Sequence, residues 1–324
     1  PRSRGLGDVY KRQITGRGRV RTLAIWEDMI YVSTNDAYLA ALDARTGVVR
    51  WEAQLADPDL GYENSSGPVI ANGKVINGIN GCTRLIPESC FITAHDARTG
   101  EELWRTFTIA RPGEPGGDTW GDVPFEKRWH VGTWMVPSYD PELNLIYVGT
   151  SVTSPAPKFM LAGNDEQYLY HNSTLAIDAD TGDIVWNYHH MVQHWDLDHP
   201  FERLLVDTVV APNPEAVSWI NPNIRSGEVR KVVTGIPGKT GIVYTLDRET
   251  GEFLWARPTV LQTVVENIEG STGVVEVASD MLYTGAEQTR FVCPTSTGGK
   301  NWPAGAYSPE TNACLLYTSD AADE

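Results

Sequence analysis

Two aspartates stand two positions apart in the segment HWDLDHP, Asp196 and Asp198. If that segment is extended, both side chains point the same way and can share one hard, oxygen-seeking cation. Otherwise they are a solvated acidic loop. Lys239 sits in the glycine-flanked turn PGKTG, a setting in which lysine is commonly just solvated. Trp134, in GTWMVPSYDP, falls outside the register of the chain's recurring tryptophans and offers a flat aromatic surface. Cys82 and Cys90 bracket the loop GCTRLIPESC. They could close it as a disulfide, implying an oxidising compartment such as a periplasm, or remain two buried thiols. Cys293 has no evident partner, and the absence of C-x-x-C-H excludes a c-type haem attachment site in this stretch.

What must position these residues is a repeat. The chain contains ALDARTGVVRW from Ala41, AHDARTGEELW from Ala94, AIDADTGDIVW from Ala176 and TLDRETGEFLW from Thr245. Each copy is a short apolar run, an Asp-x-x-Thr-Gly turn and a second run ending in Trp. Asp caps the turn, Gly supplies the positive φ that reverses the chain, and Trp docks on a neighbouring unit. The intervals suit one four-stranded propeller blade each, with loop insertions. The predicted fold is therefore all-β, a partial β-propeller of four to five blades. Blade one reads TLAIW, MIYVST, YLAALD, VVRWEA; blade two PVIAN, KVINGI, CFITAHD, ELWRTF. Blade three reads MVPSYD, LIYVGTS, STLAID, DIVWNY; blade four RLLVDT, RKVVTG, GIVYTLD, FLWARP. A fifth is expected to begin near Val274 and to be lost past Ala306.

Topology then selects a site. In an up-and-down blade the Asp-x-x-Thr-Gly turn joins strands three and four on one face of the disc. Connections between blades, and turns between strands two and three, lie on the other face. Arg21, Trp134, Asp196, Asp198 and Asn301 precede first strands or fall between blades, while Lys239 and Asn80 lie in second-to-third turns. Residues far apart in sequence should thus gather at one mouth of the central channel.

With the repeats, GTWMVPSYDPELNLIYVGT, HWDLDHP, GKTGIVYTLDRETG and GGKNWPAGAYSP in that order, the chain resembles the quinoprotein alcohol dehydrogenases. These are eight-bladed propellers that use pyrroloquinoline quinone (PQQ). The resemblance implies that Trp134 stacks on the cofactor, that Arg21 pairs with a cofactor carboxylate, and that Lys239 reaches the quinone oxygens. It makes Asn301 an amide contact, and Ser65 and Asn80 polar contacts. It makes Asp196 the base that takes the alcohol proton as hydride moves to the quinone. Asp198 resembles the extra carboxylate of lanthanide-binding members, so the metal set is read as Asp196, Asp198 and Glu88, holding Ca²⁺ or a lanthanide. An alcohol or related substrate, a cytochrome-type electron acceptor and a periplasmic location follow from the same resemblance.

Departures from the family pattern are specific. The positions of the family's metal-binding Glu and Asn are Thr83 and Val152, and Thr15 and Gly16 stand where an adjacent Cys pair is usual. The metal site is thus either rebuilt or lost. Two rivals follow: a quinoprotein homologue without its metal, and a non-catalytic scaffold such as the propeller lipoproteins of outer-membrane assembly. Net charge is −16, a poor match to nucleic acid, and no apolar run is long enough to cross a membrane. The ends are expected to be foreign. One DNA word, read on opposite strands, can encode both DVYKRQ (Asp8 to Gln13) and CLLYT (Cys314 to Thr318). Residues 1–13 and 314–324 are therefore read as adapter-like, leaving 14–313 as the native propeller segment.

Overall fold

The computed structural model describes residues 20–82, 90–153, 158–191 and 196–316. Four antiparallel sheets follow one another along the chain, with neighbouring strands in sequence order apart from one short strand added to the fourth. Blade one is β1 (Ala24–Trp26), β2 (Met29–Ser33), β3 (Tyr38–Asp43) and β4 (Val49–Gln54). Blade two is β5 (Val69–Ala71), β6 (Lys74–Gly78), β7 (Phe91–Asp96) and β8 (Glu102–Phe107). Blade three is β9 (Ser138–Asp140), β10 (Leu145–Gly149), β11 (Ser173–Asp178) and β12 (Ile184–His189). Blade four is β13 (Leu204–Val210), β15 (Glu228–Gly235), β16 (Ile242–Asp247) and β17 (Phe253–Pro258). A short β14 (Trp219–Ile220) from a loop insertion is added along the outer edge of β17. This is the expected β-propeller fold.

The repeated turn works as its residues require. Asp43 Oδ1 accepts from the N–H groups of Arg45 (3.1 Å) and Thr46 (2.8 Å) and from the Thr46 hydroxyl (2.7 Å). Asp96, Asp178 and Asp247 receive the corresponding two backbone donors. The threonine hydrogen bonds hold the Asp43 and Asp96 carboxyls below the usual carboxylate range. Gly47, Gly100, Gly182 and Gly251 have φ between +69° and +80°. Just before each Asp the ladder slips by one residue, at Ala41/Leu42, Ala94/His95, Ala176/Ile177 and Thr245/Leu246.

Tryptophan docking is directional. The indoles of blades one to three each rest on the turn glycine of the following blade. A Cβ on Gly100 would lie 2.7 Å from the Trp51 ring, on Gly182 2.7 Å from Trp104, and on Gly251 2.8 Å from Trp186. The Trp51 and Trp104 indole N–H groups donate to Ala97 O (3.0 Å) and Ala179 O (3.1 Å) of those blades. Between the blades lie shared cores, for example Tyr31, Leu39, Val75 and Phe91 between blades one and two.

Two regions lie outside the four regular blades. Where a fifth blade is expected to begin near Val274, there are two separate hairpins. They are β18 (Val265–Ile268) with β19 (Val275–Val277) and β20 (Ala306–Ser308) with β21 (Ala313–Leu315). The intervening stretch, rich in Gly, Thr and Pro, offers no alternating apolar run to add to either. Between blades two and three, an insertion packs Ile109, Trp120, Val123 and Val131 against Tyr168 of the β10–β11 connection. The buried Arg128 guanidinium holds it by donating to Val123 O (3.0 Å), Ala110 O (2.9 Å) and Gly117 O (3.0 Å). Among the described residues no helix is long and apolar enough to cross a membrane.

Candidate functional site

The inter-blade connections and second-to-third turns meet as a contiguous arc. Arg21 is first. Its N–H donates to Ser66 O (3.1 Å), its guanidinium donates to Ser65 O (2.8 Å), and that group lies 5.2 Å from the centre of the Trp134 ring. Ser65 thus engages the arc through its carbonyl. Asn80 pairs by main chain with Glu63, and its neighbour Ile79 O accepts the Thr133 N–H (3.1 Å), bringing it beside Trp134. Asn80 Oδ1 is buried without a hydrogen-bond partner. It faces Gly132, where a Cβ would come within 2.3 Å. Glycine is required there by this close approach.

From Gly132 the arc passes into the turn after β10. Ser151 N–H donates to Gly132 O (2.8 Å), and Gly132 N–H donates to Ser151 Oγ (2.8 Å). The next residue, Val152, sits between two ionisable groups. Its N–H donates to Asp198 Oδ1 (3.1 Å), and its carbonyl meets His130 Nδ1 at 3.1 Å.

Lys239 closes the arc. Its ammonium is 3.1 Å from Asp196 Oδ2 and 3.4 Å from Asp198 Oδ2, with the lysine and Asp198 side chains buried and Asp196 half-exposed. The reason is local: Lys239 N–H donates to Asp198 O (2.9 Å), zipping the GKTG turn to the DLD segment. Burial and the Asp198 charge push the Asp196 carboxyl up, while Lys239 pulls it down. Asp196 itself holds a left-handed backbone, φ 61°, and His130 another at 45°. Residues held at such angles concentrate at binding and catalytic sites. Lys239 O in turn accepts the Gly299 N–H (2.8 Å), bringing in the GGKNW loop. Asn301, in that loop, donates through its side chain to Thr297 O (2.7 Å).

A chain of contacts thus links Arg21, Ser65 and Trp134 through Asn80, Gly132, Ser151 and Val152 to Asp198, Asp196 and Lys239, and the Gly299 main chain adds the loop that carries Asn301. Glu88 and Thr83 lie outside the described residues. Cys82 and Cys90 are joined as a disulfide with Cα atoms 5.2 Å apart. Three contributors were not anticipated. Phe201 is fully buried and meets the Trp134 ring edge-on at 5.4 Å. The ion pair of Glu202 with Lys300 lies beneath it. His130 faces Asp196 electrostatically. Proximity to HWDLDHP and GGKNW was the only available signal for the first two, since charged residues in loops ordinarily read as solvated.

The donor chemistry fits the quinone. A half-buried indole, a planar guanidinium and a buried ammonium suit a flat, tricarboxylated, carbonyl-bearing molecule. For a metal, Asp196 and Asp198 are the oxygen donors a hard cation takes, but Val152 contributes main chain only. Among the described residues no three His, Cys, Asp or Glu side chains are grouped to hold an ion.

A family profile described as PQQ "Glucose/ethanol/alcohol dehydrogenase, beta-propeller domain" matches residues 52–264, well over half of the chain. The chain belongs to this PQQ propeller family. Among curated relatives, the quinohemoprotein alcohol dehydrogenase ADH IIB of Pseudomonas putida is 32% identical over 310 residues, covering 92% of this chain and 41% of that protein. The quinoprotein alcohol dehydrogenase PedH of the same species is 29% identical, covering 92% of this chain and 50% of that protein. Among solved structures, P. putida ADHIIG matches with TM-score 0.77 at 29% identity over 90% of this chain and 42% of that one. A europium-containing methanol dehydrogenase matches with TM-score 0.77 at 25% identity over 91% of this chain and 51% of that one. This PQQ-family propeller thus spans about two fifths to one half of the relatives it matches.

Proposed function

We propose that this propeller segment carries the cofactor mouth of a PQQ-dependent dehydrogenase oxidising an alcohol or another hydroxylated substrate. The observation that carries the reading is a pair of contacts in neighbouring loops: the Arg21 guanidinium against the Trp134 ring, and the Lys239 ammonium against Asp196 and Asp198, the latter joined to the Trp134 loop through the Val152–Asp198 and Ser151–Gly132 hydrogen bonds. When bound, PQQ supplies an ortho-quinone that accepts hydride from the carbon bearing the hydroxyl. Asp196 takes the hydroxyl proton. Its half-exposed carboxylate can reach substrate, and Asp198 beside it raises its affinity for that proton. Lys239 holds both acids in register and offers its remaining N–H directions to the cofactor oxygens. Arg21 pairs with a cofactor carboxylate, Trp134 supplies the stacking face, and Asn301, Asn80 and Ser65 supply polar contacts at the rim. Asp196 and Asp198, with Glu88 as the third acid, would hold Ca²⁺ or a lanthanide. The similarity to a europium-containing methanol dehydrogenase supports the cofactor and metal class, and the similarity to alcohol dehydrogenases supports the substrate class. A cytochrome-type electron acceptor and a periplasmic setting complete the reading, the latter supported by the Cys82–Cys90 disulfide.

A second reading is favoured by Val152, whose main chain alone stands where a metal-binding side chain is usual: a PQQ-binding homologue without metal-dependent turnover. Reconstitution decides. The full-length gene product is loaded with PQQ plus Ca²⁺ or a light lanthanide and assayed for dye reduction with short alcohols. Turnover in either arm supports the enzyme. A bound-PQQ spectrum without turnover supports the second reading, and no PQQ spectrum at all returns the chain to a scaffold.

A further inference from the structure

We infer that the buried Glu202–Lys300 ion pair is the positioning element of the proposed PQQ mouth, tying the cofactor platform to the loop that covers it. Lys300 is completely buried, and its ammonium takes both carboxylate oxygens of Glu202, at 2.8 Å and 2.7 Å. Glu202 Oε1 also accepts the Gly305 N–H at 2.7 Å. One carboxylate thus fixes both ends of the segment Lys300–Gly305, which carries Asn301 and the exposed Trp302. A second tether, Gly299 N–H to Lys239 O at 2.8 Å, joins the residue just before that segment to the lysine that pairs with both aspartates.

The pair also acts on the platform. Glu202 follows Phe201 directly, and the Lys300 ammonium lies 5.1 Å from the centre of the Phe201 ring. Phe201 in turn meets Trp134 edge-on at 84°. Aromatic pairs favour edge-to-face packing over a face-to-face sandwich, so the edge-on Phe201 ring gives Trp134 a preferred tilt. A cation over an aromatic face adds a directional attraction inside a dry environment. Charge in such a place is costly for stability alone, since apolar residues of similar volume usually serve a core at least as well. What the ion pair adds is direction: it sets the angle of Trp134 and the height of the Asn301 loop together.

The inference rests on the PQQ reading, and the test separates the two. The full-length gene product is purified without cofactor and titrated with PQQ, following quenching of tryptophan emission. Melting temperature and steady-state constants with a short alcohol are measured on the loaded protein. Lys300→Met is expected to weaken PQQ binding by about tenfold or more, as loss of a buried charge-assisted contact implies. The KM for alcohol, once the protein is loaded, should stay unchanged. The double variant Lys300→Met/Glu202→Leu removes the charge altogether. It is expected to regain the wild-type melting temperature while keeping the weakened PQQ affinity, and it carries the test even where the single variant does not fold. Restoration of both stability and PQQ affinity in the double variant would assign the pair to fold stability and overturn the inference. So would a single variant that binds PQQ as the wild type does. Failure of the wild type itself to bind PQQ would instead sink the cofactor reading, and this inference with it.

Discussion

Replacing Gly182 by alanine tests the docking rule on which the mouth's geometry depends. Gly182 has φ +80°, and a Cβ there would lie 2.7 and 2.8 Å from two carbons of the Trp104 ring and 2.9 Å from Thr106 Oγ1. Two costs add. The left-handed backbone costs a side chain about 1–2 kcal/mol. Forcing a methyl into a packed ring contact costs a further 1–3 kcal/mol or so. Gly47 isolates the first cost, because it has φ +69° and nothing within 4 Å of its Cβ position. Gly47→Ala should therefore lose only about 1–2 kcal/mol, and Gly182→Ala about 2–5 kcal/mol. Urea titrations of both variants, followed by tryptophan emission, give the comparison directly, provided the slopes match that of the wild type. Equal losses at the two positions would refute the argument, because the indole contact would then contribute nothing beyond backbone strain.

Other outcomes follow from the site and the core. Asp196→Asn should keep PQQ binding while lowering kcat by about 10²–10⁴-fold; a loss confined to PQQ affinity would make this residue a cofactor contact and not the base. Burial holds His95, His189 and His190 below the ordinary histidine value of 6.5, so the unfolded chain binds protons first. Stability should therefore be full above pH 6.5 and fall as pH drops below it, by up to about 1.4 kcal/mol per pH unit for each proton taken up. Urea midpoints between pH 8 and 5 read this, and a flat profile would contradict it. Arg128→Met should leave three buried carbonyls unpaired and loosen the insertion around Trp120, seen as faster proteolysis between residues 109 and 131 with the blades intact.

Much of this was legible because the repeat is local physics written four times. Asp43, Asp96, Asp178 and Asp247 can cap only a turn of that length, and each Trp is separated from its own Asp by a fixed register. Once blade order is known, topology alone predicts that Arg21, Trp134, Asp196, Lys239 and Asn301 lie on one face. What sequence did not yield are contacts without a local signature. Glu202 and Lys300 carry no local mark in the sequence, and only the packed structure gives each the other as partner. Phe201 carried no mark separating it from any core aromatic. The β14 strand pairs with β17 well along the chain, where periodicity is silent, whereas the two terminal hairpins pair locally but in runs too short to show an alternating pattern.

The seating of each indole on the next unit gives the molecule a polarity that its near-identical repeats conceal. A blade lends its ring forward and receives one from behind. Removing Trp104 should therefore free the Gly182 turn of blade three and leave the Gly100 turn of its own blade, still covered by Trp51, undisturbed. Amide exchange after such a lesion would run toward the C-terminal blades, so that damage travels through this disc in one sense of rotation.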